Sequence, residues 1–225
     1  MRDWGAPLDL YCERFEPGLF AEPWNAVSNL AFVLMGLWLV SSLPRLTAPR
    51  KAHWTLEVLA GLIVLIGICS AAFHTFATGW AEALDVASIA AFISFFMIVF
   101  ARQVLDIGWN LAWMAAPAFW GFGTIVTGPF SPGAFNGSVA YFPALAGLAF
   151  IAVSLQLQRR GGAPWFALAA GLLLVSIWLR TMDLAWCERW PWGTHWAWHL
   201  INSLVLTLAV VGLVKATLRR REAAR

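Results

Sequence analysis

Long apolar runs alternate along the chain with short stretches where polar residues and helix breakers gather. The runs lie near 26–43, 55–76, 82–101, 108–127, 138–156, 164–182 and 194–214, seven in all. Each approaches the roughly 20 residues that a helix needs to cross about 30 Å of hydrocarbon. Pro44, Pro49, Gly128, Pro129, Pro132, Gly161, Gly162 and Pro164 fall between them, where residues that break helices separate spans. The pattern predicts an all-α polytopic membrane protein, a seven-transmembrane helix bundle. It fills residues 1–225 as a single domain, with an outer N-terminal segment over 1–23 and a basic cytoplasmic tail over 215–225. The first residues are mixed and charged, with no apolar core before a small-residue cleavage site, so no signal peptide is expected.

Composition agrees: 60% of residues are hydrophobic and 12% charged, where a soluble domain carries about a quarter charged residues. A net charge of +3 invites a nucleic-acid reading, but its distribution argues against one. Arg45, Arg50, Lys51, Arg102, Arg159, Arg160, Lys215, Arg219, Arg220, Arg221 and Arg225 all fall after odd-numbered runs, on one side of the membrane. The other side holds Arg2, Arg14, Arg180 and Arg189. By the positive-inside rule the N terminus is outside and the C terminus cytoplasmic. No nucleic-acid partner is expected. The acidic residues favour the outer side, and because they contribute little to topology, a cation site facing outward is the natural cause.

Three of the four histidines sit at that side. His74 closes the second run, while His195 and His199 open the seventh. Residues at i and i+4 share a helix face about 6 Å apart, so one metal is within reach of both rings. His74 meets them from across the bundle at similar depth. Ser70 lies one turn below His74, and Asp85 enters the third run near the same level. Ionisable groups in a span are costly unless they face the interior and find partners. Three imidazoles with a fourth position open is the donor set of catalytic zinc. The competing readings are interfacial histidines paired with Asp183 or Glu188, and a haem held by two histidines. His53, in the basic first loop beside Trp54, reads as an interfacial residue.

At these residues the chain resembles the alkaline ceramidase family, part of a wider group of seven-span hydrolases that includes the adiponectin-type receptors. The resemblance rests on Tyr11-Cys12-Glu13-Arg14, Ala21-Glu22-Pro23-Trp24-Asn25 with Ser28-Asn29, Ser70 to His74 followed by Asp85, Arg180 with Asp183 and Cys187-Glu188, and His195 to His199. It covers nearly the whole chain. It implies a zinc-dependent intramembrane amidase that cleaves the N-acyl bond of a ceramide-like lipid into a fatty acid and a long-chain base. His74, His195 and His199 match the family's zinc ligands, and Ser70 and Asp85 the catalytic residues beside them. In eukaryotic members an acidic calcium site joins the zinc site. Glu13 and Glu22 match two of its carboxylates. Leu10 occupies the position of the leading acid, with Asp9 one residue earlier, and Phe15 stands where a further oxygen ligand is expected. Calcium binding and a solvated acidic cap on the first span both remain open.

The chemistry of amide cleavage suits this donor set, since a metal polarises the carbonyl and makes water more acidic. Asp85 then reads as general base, or alternatively as a fourth ligand or histidine clamp, and Ser70 as an oxyanion donor. A receptor or channel with a structural metal, or a proton-coupled transporter using Asp85 and Asp183, are the other function classes. Cys12 and Cys187 both face outward in this topology and are expected to form a disulfide, with Cys69 a packing residue inside the second run.

Overall fold

The computed structural model describes residues 3–14, 16, 18–46 and 54–223, the side chains of 44–46 and 218–223 apart. His53, Phe15, Arg50, Lys51 and Arg225, each assigned a place above, lie outside it. The helices are α1 (Pro23–Ser28), α2 (Leu30–Leu46), α3 (Trp54–Phe76), α4 (Gly79–Gln103), α5 (Trp109–Ala112), α6 (Ala115–Thr127), α7 (Phe142–Leu157), α8 (Ala163–Met182) and α9 (His195–Ala223). Short 3-10 turns, Ser138–Tyr141 and Leu184–Trp186, lead into α7 and follow α8.

Six stretches, Pro23–Leu43, Trp54–Phe76, Gly79–Gln103, Ser138–Leu157, Ala163–Met182 and His195–Thr217, are long and apolar enough to cross a membrane. The chain is a multi-pass helical membrane protein. Its burial pattern is that of a lipid-facing bundle: Leu34, Ile68, Val86, Phe150 and Leu157 are exposed, while Ser70, Ser88, Ser176, Ser203 and Thr207 are buried. In lipid, buried polar side chains join helices and the outward faces need only be apolar.

The run expected over 108–127 does not form a seventh such helix. It divides into α5 and α6, because Pro117 in the first turn of α6 has no N–H to bond Trp113 and its ring crowds that carbonyl. The two pieces still connect opposite ends of the bundle: Trp109 stacks on Trp54 at the start of α3, and Phe130, beyond α6, packs on Phe142 at the start of α7. A second departure is α9, which continues as helix to Ala223, through most of the segment expected as a separate tail.

Neighbouring helices pack in the order α2, α3, α4, α6, α7, α8, α9 and back to α2. Gly67 brings α2 against α3, since a Cβ there would lie 2.9 Å from the carbonyl oxygen of Asn29. The core away from the histidines is filled by Leu39, Leu59, Ile63, Val99, Phe166 and Val210. At the histidine end, the N-terminal segment lies on the α3–α4 turn, with Leu8 donating to the carbonyl of Ala77 at 2.7 Å and Trp80 to that of Trp4 at 3.1 Å.

Candidate metal centre

His74 sits near the C-terminal end of α3, and His195 and His199 occupy the first two turns of α9. Their rings pack with centroids 4.6 to 5.2 Å apart. One ligand nitrogen from each lies within 4.8 Å of the others, and all three residues are buried. Among the described residues this is the group of histidine, cysteine and acidic side chains that can hold a metal ion.

The hydrogen bonds fix which nitrogens are available. Nδ1 of His74 lies 2.6 Å from Glu22 Oε2. A carboxylate only accepts, so that nitrogen carries the proton and Nε2 keeps its lone pair. Nδ1 of His199 lies 2.7 Å from Ser28 Oγ. The Ser28 hydroxyl gives its single hydrogen to the carbonyl of Asn25 at 2.9 Å, so its oxygen accepts from Nδ1–H of His199 and again Nε2 is left. His195 stacks on Tyr11 with ring centroids 3.8 Å apart, and its Nδ1 is buried without a partner. An imidazole nitrogen left buried without a partner, as Nδ1 of His195 is, is costly in a dry interior. A cation that takes its lone pair removes that cost, and imidazole nitrogen is a preferred donor for zinc. The residues therefore fit the group.

Glu22 and Glu13 have structural partners of their own. Glu22 directly precedes α1, and its Oε1 accepts from Arg14 Nε at 2.8 Å while Oε2 also takes Asn25 Nδ2 at 3.3 Å. Burial favours its neutral form, but the bonds from His74 and Arg14 outweigh burial and hold it below the ordinary carboxylate range. Glu13 accepts the backbone N–H of Trp24 at 2.6 Å and of Asn25 at 2.8 Å, capping the free donors of α1. Burial raises its pKa against the pull of those two bonds. Asp9 is exposed. The three acids matched to a calcium site form no metal-binding group of their own among the described residues.

Asp183 does not pair with a histidine ring. Its carboxylate accepts the backbone N–H of Thr194 at 2.7 Å and His195 at 2.9 Å, at the start of α9, and of Cys12 at 2.9 Å. Gly193, with φ of +59°, makes this approach workable, because a Cβ there would run into that carboxylate. Cys12 and Cys187 are joined as a disulfide with Cα atoms 5.4 Å apart, and Cys69 is a half-buried free thiol. The bridge and the Asp183 bonds hold Tyr11 over His195. Burial pushes the Tyr11 phenol well above its usual pKa, despite the nearby Arg180.

Asp85 lies two turns into α4, half-buried, and Ser70 is buried one turn before His74 on α3. Oδ1 of Asp85 has no partner. Arg180, at the end of α8, stands over the rings of Tyr141 and Trp198 and donates to Asn136 O and Ser138 Oγ, tying the 128–141 loop to the site.

Below this centre the bundle is hollow. An apolar cavity of about 110 Å³ is lined by residues such as Phe32, Ile89, Phe92, Leu148 and Leu173. Three of its lining residues lie next to site residues in sequence: Ile66 is four residues below Ser70, Ile89 four residues below Asp85, and Trp198 adjoins His199. The cavity therefore begins one helical turn beneath the polar groups.

Sequence reasoning brought forward the triad, Ser70 and Asp85. It missed Ser28 and Glu22 as histidine partners. A signal was available: Asn25, Ser28 and Asn29 recur at helical spacing at one end of an apolar run, which marks an inward polar face. Comparison with protein-family models and with curated proteins returns no match for the chain.

Proposed function

We propose that the chain is a zinc-dependent intramembrane amidase that hydrolyses the N-acyl bond of ceramide or a ceramide-like lipid. The observation that carries this reading is the meeting of three buried imidazoles and a carboxylate with a free oxygen at the head of an apolar cavity. A structural metal has no use for a hollow beneath it, whereas a long-chain amide needs both parts. The resemblance to alkaline ceramidases supports the choice of bond.

His74, His195 and His199 would hold the zinc, which when bound supplies Lewis acidity to an amide carbonyl and to water. Glu22 and Ser28 orient two of the rings, the role that carboxylates and hydroxyls behind metal-bound histidines have generally. Asp85 takes a proton from the water that attacks the carbonyl carbon. As the C–N bond breaks, it returns that proton to the leaving amine. Ser70, buried one turn before His74, serves as the oxyanion donor. The cavity takes an apolar chain and keeps bulk water from the site.

We further infer seven crossings, with α5 and α6 together as the fourth. The contacts of Trp109 and Phe130 at opposite ends of the bundle support this. The charge bias puts the histidine end outside and the C terminus in the cytoplasm.

The test is release of fatty acid and amine from ceramide and related N-acyl lipids by purified, zinc-loaded protein, measured by mass spectrometry beside a metal-stripped sample. Cleavage that zinc restores is expected. A protein that binds zinc and cleaves no amide would overturn the reading in favour of a receptor or transporter.

A further inference from the structure

Asn202 is the one carboxamide among the residues lining the cavity, whose other side chains are apolar except for the phenol of Tyr141 and the indole N–H of Trp198. It lies three residues after His199 on α9, about 4.5 Å farther along the axis at 1.5 Å per residue. Its orientation follows from its neighbours. Ser176 on α8 has one hydroxyl hydrogen and gives it to the carbonyl of Trp198 at 3.3 Å. The Ser176 oxygen can then only accept from Asn202, so the amide atom 3.0 Å away is Nδ2. Oδ1 is thereby turned away from Ser176.

Nothing nearby satisfies that oxygen. Ser203 and Thr207 donate their hydroxyls to carbonyls of their own helix, at 2.7 Å in each case. The one hydrogen bond of the Asn202 side chain among the described residues is that from Nδ2 to Ser176. Asn202 lines the cavity, which puts its carboxamide within reach of a lipid held there. A lone acceptor in an apolar wall is unfavourable unless a donor reaches it.

We propose that Asn202 is a hydroxyl-recognition point for the lipid, accepting a hydrogen bond from an O–H carried a few carbons from the scissile amide. This rests on the amidase reading and narrows its substrates to lipids hydroxylated near the amide, on the acyl chain or on the long-chain base. The chemistry is selective, because a site built to bond a hydroxyl discriminates strongly against the analogue that lacks it.

The experiment is native mass spectrometry of the full chain in detergent, with and without zinc, offered equimolar pairs. One pair is 3-hydroxypalmitic acid and palmitic acid, and the other is 2-aminooctadecan-3-ol and 2-aminooctadecane. The hydroxylated member should be preferred roughly tenfold in one pair, the scale of one satisfied hydrogen bond, and the pair that shows it identifies the chain. Asn202→Leu should abolish the preference while retaining the plain lipid. Equal binding within both pairs by the unaltered protein overturns the proposal and leaves Asn202 a structural tie between α8 and α9. So does a preference that survives Asn202→Leu. Amide cleavage without hydroxyl preference defeats this inference alone, whereas absence of both lipid binding and cleavage defeats the amidase reading with it.

Discussion

Glu22→Gln tests how the metal centre is supported. Glu22 uses both oxygens, Oε1 for Arg14 and Oε2 for His74 and Asn25. Glutamine has the same shape but one acceptor, so whichever way the amide turns, its NH2 faces an N–H of Arg14 or of His74. Removing one partner of a buried ion pair costs about 3–5 kcal/mol, and Arg14 and Glu22 are both buried. Losing the carboxylate behind a metal-bound histidine typically costs 10–100-fold in affinity. The variant should therefore bind zinc roughly 10–100-fold more weakly and unfold at a clearly lower temperature when metal-free. Chelator competition at fixed pH and thermal unfolding in detergent read the two effects, with Glu188→Gln, an exposed acid, as the control. If Glu22→Gln matches that control in both, Glu22 does not clamp His74. Added calcium should restore neither property, whereas a calcium ligand at Glu22 would make the deficit depend on calcium.

His74→Ala, His195→Ala and His199→Ala should each lose most bound zinc by elemental analysis, since two imidazoles leave the ion undercoordinated; full occupancy in all three would remove the site. Asp85→Asn should keep zinc while turnover falls roughly 100-fold or more. A parallel loss of metal would make Asp85 a ligand, and full activity would leave it no catalytic role. Alkylation without reductant, followed by intact-mass measurement, should label Cys69 alone, and three labels would refute the Cys12–Cys187 bridge.

Much of the bundle was legible because lipid imposes a length and an apolar content that appear directly in the chain. Where a proline interrupted a run, that rule misled: Pro117 divides the backbone of the run over 108–127. The three-histidine cluster was legible because His195 and His199 share a helix face and His74 ends a run on the same side. What stands behind them was not. The partners of His74 and His199 come from α1 and the residue before it, and nothing local pairs positions so distant. The pairing of Asp183 with a histidine, weighed above as a competing reading, is not made, for a related reason: its carboxylate accepts instead from the free N–H groups at the start of α9. The cavity is a property of packing, and no pattern along one helix reveals a gap shared among seven.

The joining of Cys12 and Asp183 to the start of α9 also orders events in biosynthesis. As the chain emerges, Glu22, Ser28 and His74 are made early, and the carboxylate and serine that orient two rings wait through five further helices. His195 and His199 come only with α9, whose first turn is then secured by Asp183 and, through the disulfide, by the segment that emerged first. A partly inserted chain thus carries one imidazole at the site and no means of holding a metal there. The three-histidine cluster is complete only once the bundle closes.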